Sequence, residues 1–87
     1  MANVNYTELA RRVGNFESYT HGSSHAIRSG DTYTIVSYST PIAVAELQDG
    51  KFVCRMLNRK FSTTTSRLQN IIRKEWKFED FTEVDSL

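Results

Sequence analysis

The dipeptide Asp49-Gly50 constrains this chain more than any other feature. It sits between two strand-like runs, "IAVAELQ" and "KFVCRML". A two-residue type I′ turn needs a left-handed backbone at both central residues, which Asp and Gly tolerate, so the spacing predicts a tight antiparallel hairpin. Its register follows. Gln48 faces Lys51, which places Leu47 opposite Phe52, Ala45 opposite Cys54 and Ala43 opposite Met56 on one face. Glu46 with Val53, and Val44 with Arg55, fall on the other. The first set is the expected core face.

The rest of the chain is read around that hairpin. "DTYTIVSYST" alternates β-branched and aromatic residues, Thr34, Val36 and Tyr38 against Tyr33 and Ile35, and predicts a strand. Pro41 has no amide hydrogen to give a ladder, so it marks a bend or an edge before the next strand. In "NYTELARRVGNF", Leu9, Val13 and Phe16 share one helical face, and Asn5 followed by Glu8 fits a capping box, predicting a helix over 6–14. "HGSSHAIRSGD" is a loop or a weak edge strand around 25–28. Leu68, Ile71, Ile72 and Trp76 lie on one face of a second helix over 65–76, begun by Thr65 or Ser66, with Ser66 and Gln69 as a capping box. Phe61 is expected to re-enter the sheet. The tail 78–87 is either docked by Phe78 and Phe81 or flexible. Together these predict a single α+β domain over 1–87: an antiparallel sheet of three to five strands with both helices packed on one face.

Eighty-seven residues suffice for one modest core and exclude a second domain, since domains typically run to roughly 100–150 residues. So small a core gains from a partner or a second copy, and a homo-oligomer is an expected option. The single cysteine, Cys54, rules out an intramolecular disulfide and suits a reducing compartment; no apolar run is long enough to span a membrane. A cytoplasmic location is expected. Net charge is +1, but it is segregated: −2 over residues 1–50, +7 over 51–77 and −4 over the last ten. The basic segment suits phosphates or an acidic protein surface.

The segment "RKFSTTTSRLQN" gathers the candidate binding residues: Arg59, Lys60, Ser62, Thr63, Thr64, Thr65, Ser66 and Arg67. A helix start surrounded by hydroxyls and guanidinium groups suits a phosphate or carboxylate. Equally, Ser62 to Thr64 could finish a strand while a neighbour caps the helix. Tyr33, Tyr38, Arg55, Arg73 and Lys74 form a second candidate binding face on the assumption of one uncovered sheet surface. Catalysis has one weak candidate, His25 with Ser23 or Ser24, which lacks the strand-turn-helix elbow and a carboxylate at fixed spacing. His21, His25 and Cys54 make a poor metal signature, and no cofactor or metal is expected.

"SYSTPIA" at 37–43 followed by "RKFSTTTSR" resembles a family of small uncharacterised phage and prophage proteins, in which a Ser-Tyr-x-Thr-x-Ile/Val-Ala strand precedes a Lys-Tyr/Phe-Ser-x-Thr-Thr-Ser-Arg helix start. The match runs through Ser37, Tyr38, Thr40, Ile42, Ala43, Lys60, Ser62, Thr64, Thr65, Ser66 and Arg67, with Phe61 for the usual Tyr and Leu68 where a histidine often follows. The resemblance implies phage origin and a shared α+β core. The expected function is that of a non-enzymatic accessory protein binding a host protein or protein–nucleic-acid complex, as anti-CRISPR inhibitors do. Direct nucleic-acid binding through 51–77 is the alternative.

Overall fold

The computed structural model describes residues 3–87. Helix α1 (Tyr6–Gly14) is followed by strands β1 (Tyr19–His21), β2 (Ser24–Ser29), β3 (Thr32–Ser37), β4 (Thr40–Gln48) and β5 (Lys51–Leu57), then α2 (Thr63–Glu75) and β6 (Asp80–Val84). The strands form one sheet in sequence order, with β1 to β5 an antiparallel meander and β6 parallel to β5. The domain is thus α+β as expected, but the sheet has six strands and is mixed. The extra strands come from the segment expected to be a loop or a weak edge strand around 25–28 and from the tail expected to be docked or flexible. "YTHGSSHAIRS" forms β1 and β2 around Gly22-Ser23, and the acidic tail supplies β6.

The register of β4 with β5 matches the expectation at every pair from Ala43–Met56 to Gln48–Lys51. Asp49 and Gly50 both have positive φ, 52° and 81°, as a type I′ turn requires. The other three connections are also two-residue turns, at Gly22-Ser23, Gly30-Asp31 and Tyr38-Ser39. Each has positive φ at its first residue alone, the sign pattern of a type II′ turn. Pro41 stands beside a β-bulge: Ile35 pairs with Ala43 but Val36 with Pro41, leaving Ile42 as the extra residue. The bulge turns Ile42 and Ala43 inward together, and both are fully buried.

Both helices cover one face of the sheet. Leu9 and Val13 of α1, and Leu68 and Ile72 of α2 with Trp76 at its end, pack on Tyr33, Ile35, Ala43, Ala45, Cys54 and Met56. An aromatic cluster fills the lower end of this core, with Phe16 stacked on Phe52 at 3.8 Å and Trp76 edge-on to Tyr33 and Phe81. The Trp76 indole donates to the Val13 carbonyl at 2.9 Å, which satisfies the end of α1 and ties the two helices together. Helix α1 has the expected bounds and its cap, Asn5 Oδ1 accepting from the Glu8 amide at 2.8 Å. Helix α2 starts two residues earlier than expected because Ser62, not Thr65 or Ser66, is its cap. Phe61 lies in the β5–α2 connection, not in the sheet; it packs partly against the core. Among the described residues the opposite sheet face carries no helix. Across it run Ile27, Thr34, Val44 and Arg55 in one row, and Arg55 is bound to Glu46 at 2.7 Å.

Candidate functional site

Strand polarity gathers the sequence motifs at one end of the sheet. His21, Ser24, Ser37, Thr40, Leu57 and Val84 all end or begin strands there, and α2 starts above them after the 58–62 connection. "HGSSH", "SYST" and "RKFSTTTSR", far apart in the chain, therefore meet.

Between them lies a cavity of about 170 Å³, walled by Tyr6 and Leu9 of α1, by His21 to Ser24, by Ser37, and by Thr64 and Leu68 of α2. Its hydroxyls are largely committed to structure. Ser62 Oγ accepts the Thr65 amide at 3.3 Å and reaches Thr65 Oγ1 at 3.2 Å, and Thr65 Oγ1 shares a 2.7 Å hydrogen bond with Ser37 Oγ. Ser37 and Thr65 are both buried, so the hydrogen bond between them joins "SYST" to the start of α2 inside the protein. Gln69 does not form a capping box with Ser66; its amide donates to the carbonyls of Leu57 and Arg59 at 2.9 and 3.1 Å and holds the connection against α2. Thr63 and Ser66 take no part in this network. Of the five hydroxyl residues, Ser62 is spent on capping α2, Thr65 on the buried bond to Ser37, and Thr64 lines the cavity.

His21 stands at the cavity's edge. Its Nδ1 lies 2.5 Å from the Val4 carbonyl, an atom that only accepts, so Nδ1 carries the hydrogen. The Tyr6 ring leans on the imidazole at 4.3 Å, and the Arg67 guanidinium covers the same ring at 3.8 Å from its centroid. Arg67, expected to hold an anion, is thus seated on an aromatic face. The Ser24 hydroxyl donates to the His21 carbonyl at 3.3 Å and lies 3.5 Å from the Tyr19 hydroxyl, while His25, the next residue, faces the uncovered side of the sheet. No hydrogen bond joins His25 to Ser23 or Ser24 among the described residues. Burial pushes the Tyr19 hydroxyl up to about 12. Cys54, weighed as a metal ligand with the two histidines, is fully buried on the core face of β5, away from both.

The second candidate set does not form a face. Tyr33 is fully buried with its hydroxyl donating to the Glu17 carbonyl at 2.8 Å, because it shares the parity of Ile35 beneath the helices. Arg55 is on the uncovered face, bound to Glu46. Arg73 is on the helical side, where Glu83 takes both arms of its guanidinium at 2.9 and 3.0 Å. Lys74 lies along a shallow groove between α1 and α2 with Tyr6, Arg67 and Ile71. Only Tyr38 fits the expectation of an exposed aromatic: it occupies the β3–β4 turn, 58% exposed, at a φ of 56°.

The linear basic segment is likewise dispersed. Lys51 begins β5 at the lower end, Arg59 and Lys60 follow it at the upper end, and α2 returns the chain to Lys77 below. Arg55 and Arg73 are neutralised by carboxylates. What is left at the upper end is Arg59 and Lys60, both exposed and without an ion pair among the described residues, on the connection that leaves β5 at the same end of the sheet as the Tyr38 turn. No aromatic was expected at a strained turn; the positive φ at Tyr38 has no signature in composition or periodicity.

Among the described residues no helix is long and apolar enough to cross a membrane. No curated protein and no solved structure matches the chain. A family model does, over residues 5–84, which takes in both helices and all six strands: the chain belongs to a family of unknown function (DUF8033).

Proposed function

We propose that this chain is a non-catalytic binding domain that holds an acidic surface of a host protein with its upper rim, the Tyr38-Ser39 turn and the Arg59-Lys60 connection. The single observation behind this reading is Tyr38. A bulky residue at positive φ costs about 1–2 kcal/mol that glycine would not, and here that cost presents an aromatic ring to solvent rather than to the core. Aromatic and guanidinium groups together supply the anchors that dominate protein interfaces. The Ser24, Ser37, Ser62 and Thr65 hydroxyls of the same end are turned to structural hydrogen bonds, which favours binding over catalysis. The phage-type motif suggests a host protein as the partner, such as a component of a defence complex.

Capture from host lysate with the tagged chain identifies the partner, and titration of that partner tests the rim. Tyr38→Ala, and Arg59→Glu with Lys60→Glu, should each weaken binding by roughly 30-fold, the loss typical of an interface anchor. Unchanged affinity in both variants refutes the assignment. Affinity for random-sequence DNA that falls steeply with salt would instead support phosphate recognition by the same two cations.

A further inference from the structure

The lower end of the molecule carries a separate groove of about 810 Å³ between the end of α1, the β4–β5 turn and the α2–β6 connection. Its floor is the stacked Phe16–Phe52 pair. Arg28 braces that floor, with its guanidinium 4.9 Å from the Phe52 ring centre and hydrogen bonds to the carbonyls of Gly30 and Phe16 at 2.8 and 3.3 Å. One wall is Phe78, which is 91% exposed, the most open of the large apolar side chains described. The remaining rim is charged with both signs, Lys51 of β5 and, on the adjoining chain, Glu79 with Asp80.

We propose that this groove is the interface of a two-fold homodimer in which Phe78 of each copy seats on the Phe16–Phe52 floor of the other. A two-fold interface must be self-complementary, with the same patch supplying both projection and recess. Here Phe78 is the projection and the aromatic floor the recess, side by side on one surface. The groove far exceeds the cavity of about 150 Å³ that accepts a benzene ring, so a phenyl group enters without displacing the floor. The rim decides the occupant. Glu79 and Asp80 disfavour a strongly acidic partner and Lys51 a strongly basic one, whereas a rim that carries both signs is complementary to a second copy of itself, in which Lys51 of each copy meets an acid of the other.

Sedimentation equilibrium from micromolar to sub-millimolar concentration should give a dimer mass. Phe78 is outside the core, so Phe78→Asp keeps the native circular dichroism and raises the dimer dissociation constant by roughly 30-fold or more, as loss of a central aromatic anchor does. Lys51→Glu should weaken the dimer, and adding Glu79→Lys should restore it. A wild-type chain that stays monomeric overturns the proposal, as does a dimer indifferent to Phe78→Asp or a charge-swapped double variant no tighter than the single. The groove is at the opposite end from the Tyr38 rim, so partner affinity per subunit is unaffected by Phe78→Asp and the two readings stand or fall separately.

Discussion

Tyr38 occupies a conformation that its own side chain disfavours, while Gly22 and Gly30 hold the same position in the neighbouring type II′ turns without strain. Tyr38→Gly should therefore raise unfolding free energy by roughly 0.5–1 kcal/mol in urea titration and at the same time abolish partner capture. A variant less stable than wild type would show that the ring supports the fold. Residue identities were legible in the sequence where one local rule decided them. Asp49-Gly50 announced its turn and with it six cross-strand pairs. Ser62 was harder to choose, since any of five consecutive hydroxyls can cap, and only the position of Ser37 across the core selects Thr65 as the inward one. Tyr33 was misplaced for a related reason: alternation says that Tyr33 and Thr34 face opposite ways, but not which way the helices lie.

At the level of elements, α1 and β6 depend on exposed carboxylate pairs. Glu8 receives hydrogen bonds from Arg11 at 2.7 and 2.8 Å and from Arg12 at 2.8 Å, and these hold its carboxyl down from the ordinary 4.5 to about 2. Glu83 is lowered in the same direction by its hydrogen bonds to Arg73. A depressed carboxyl favours the folded state fully above its unfolded value and loses that contribution as pH falls through the folded one. Thermal stability should accordingly decline from about pH 4.5 toward pH 2, and Glu8→Gln should flatten that decline; an acid limb identical in the variant assigns it elsewhere. Strand β2 was legible only as one of two alternatives, a loop or a weak edge strand, and β1 and β6 were not read as strands, for different reasons. Gly22-Ser23 and Gly30-Asp31 are hairpin signals, but Ser- and His-rich neighbours masked them as loop. Strand β6 has only Phe81 in the core, and a parallel partner reached through a helix leaves no local turn signal to detect.

Across the whole molecule, the chain's linear charge segments are redistributed by topology. The basic stretch climbs one strand and descends one helix, which separates Lys51 and Lys77 from Arg59 and Lys60 by the length of the sheet. A sequence sum of +7 thus describes no single surface. The core itself sets an alkaline limit. Burial pushes the Tyr19 hydroxyl and the Cys54 thiol up to about 12, with Glu79 and Asp80 adding to the effect on Cys54, and it raises Tyr33 as well. Groups whose folded values are raised stabilise fully below their unfolded values, 10.0 for tyrosine and 9.0 for cysteine, and lose that stabilisation as pH rises toward 12. Unfolding should thus be promoted above about pH 9 to 10, with thiol reagents reaching Cys54 only as the chain opens. Reaction of Cys54 at neutral pH while circular dichroism stays native would contradict its burial. A dimer joined at the lower ends would also direct both Tyr38 rims outward, so a multivalent partner would gain effective concentration.

The parallel pairing of β6 with β5 carries a further consequence, for the order in which the chain assembles. Every other strand pair closes through a two-residue turn, with contacts of short sequence separation that zip quickly. Strand β6 has no such route; α2 must dock first. During synthesis β5 therefore waits as an open edge until β6 has emerged behind α2, and β6 acts as the latch that ends its exposure to other unfinished chains.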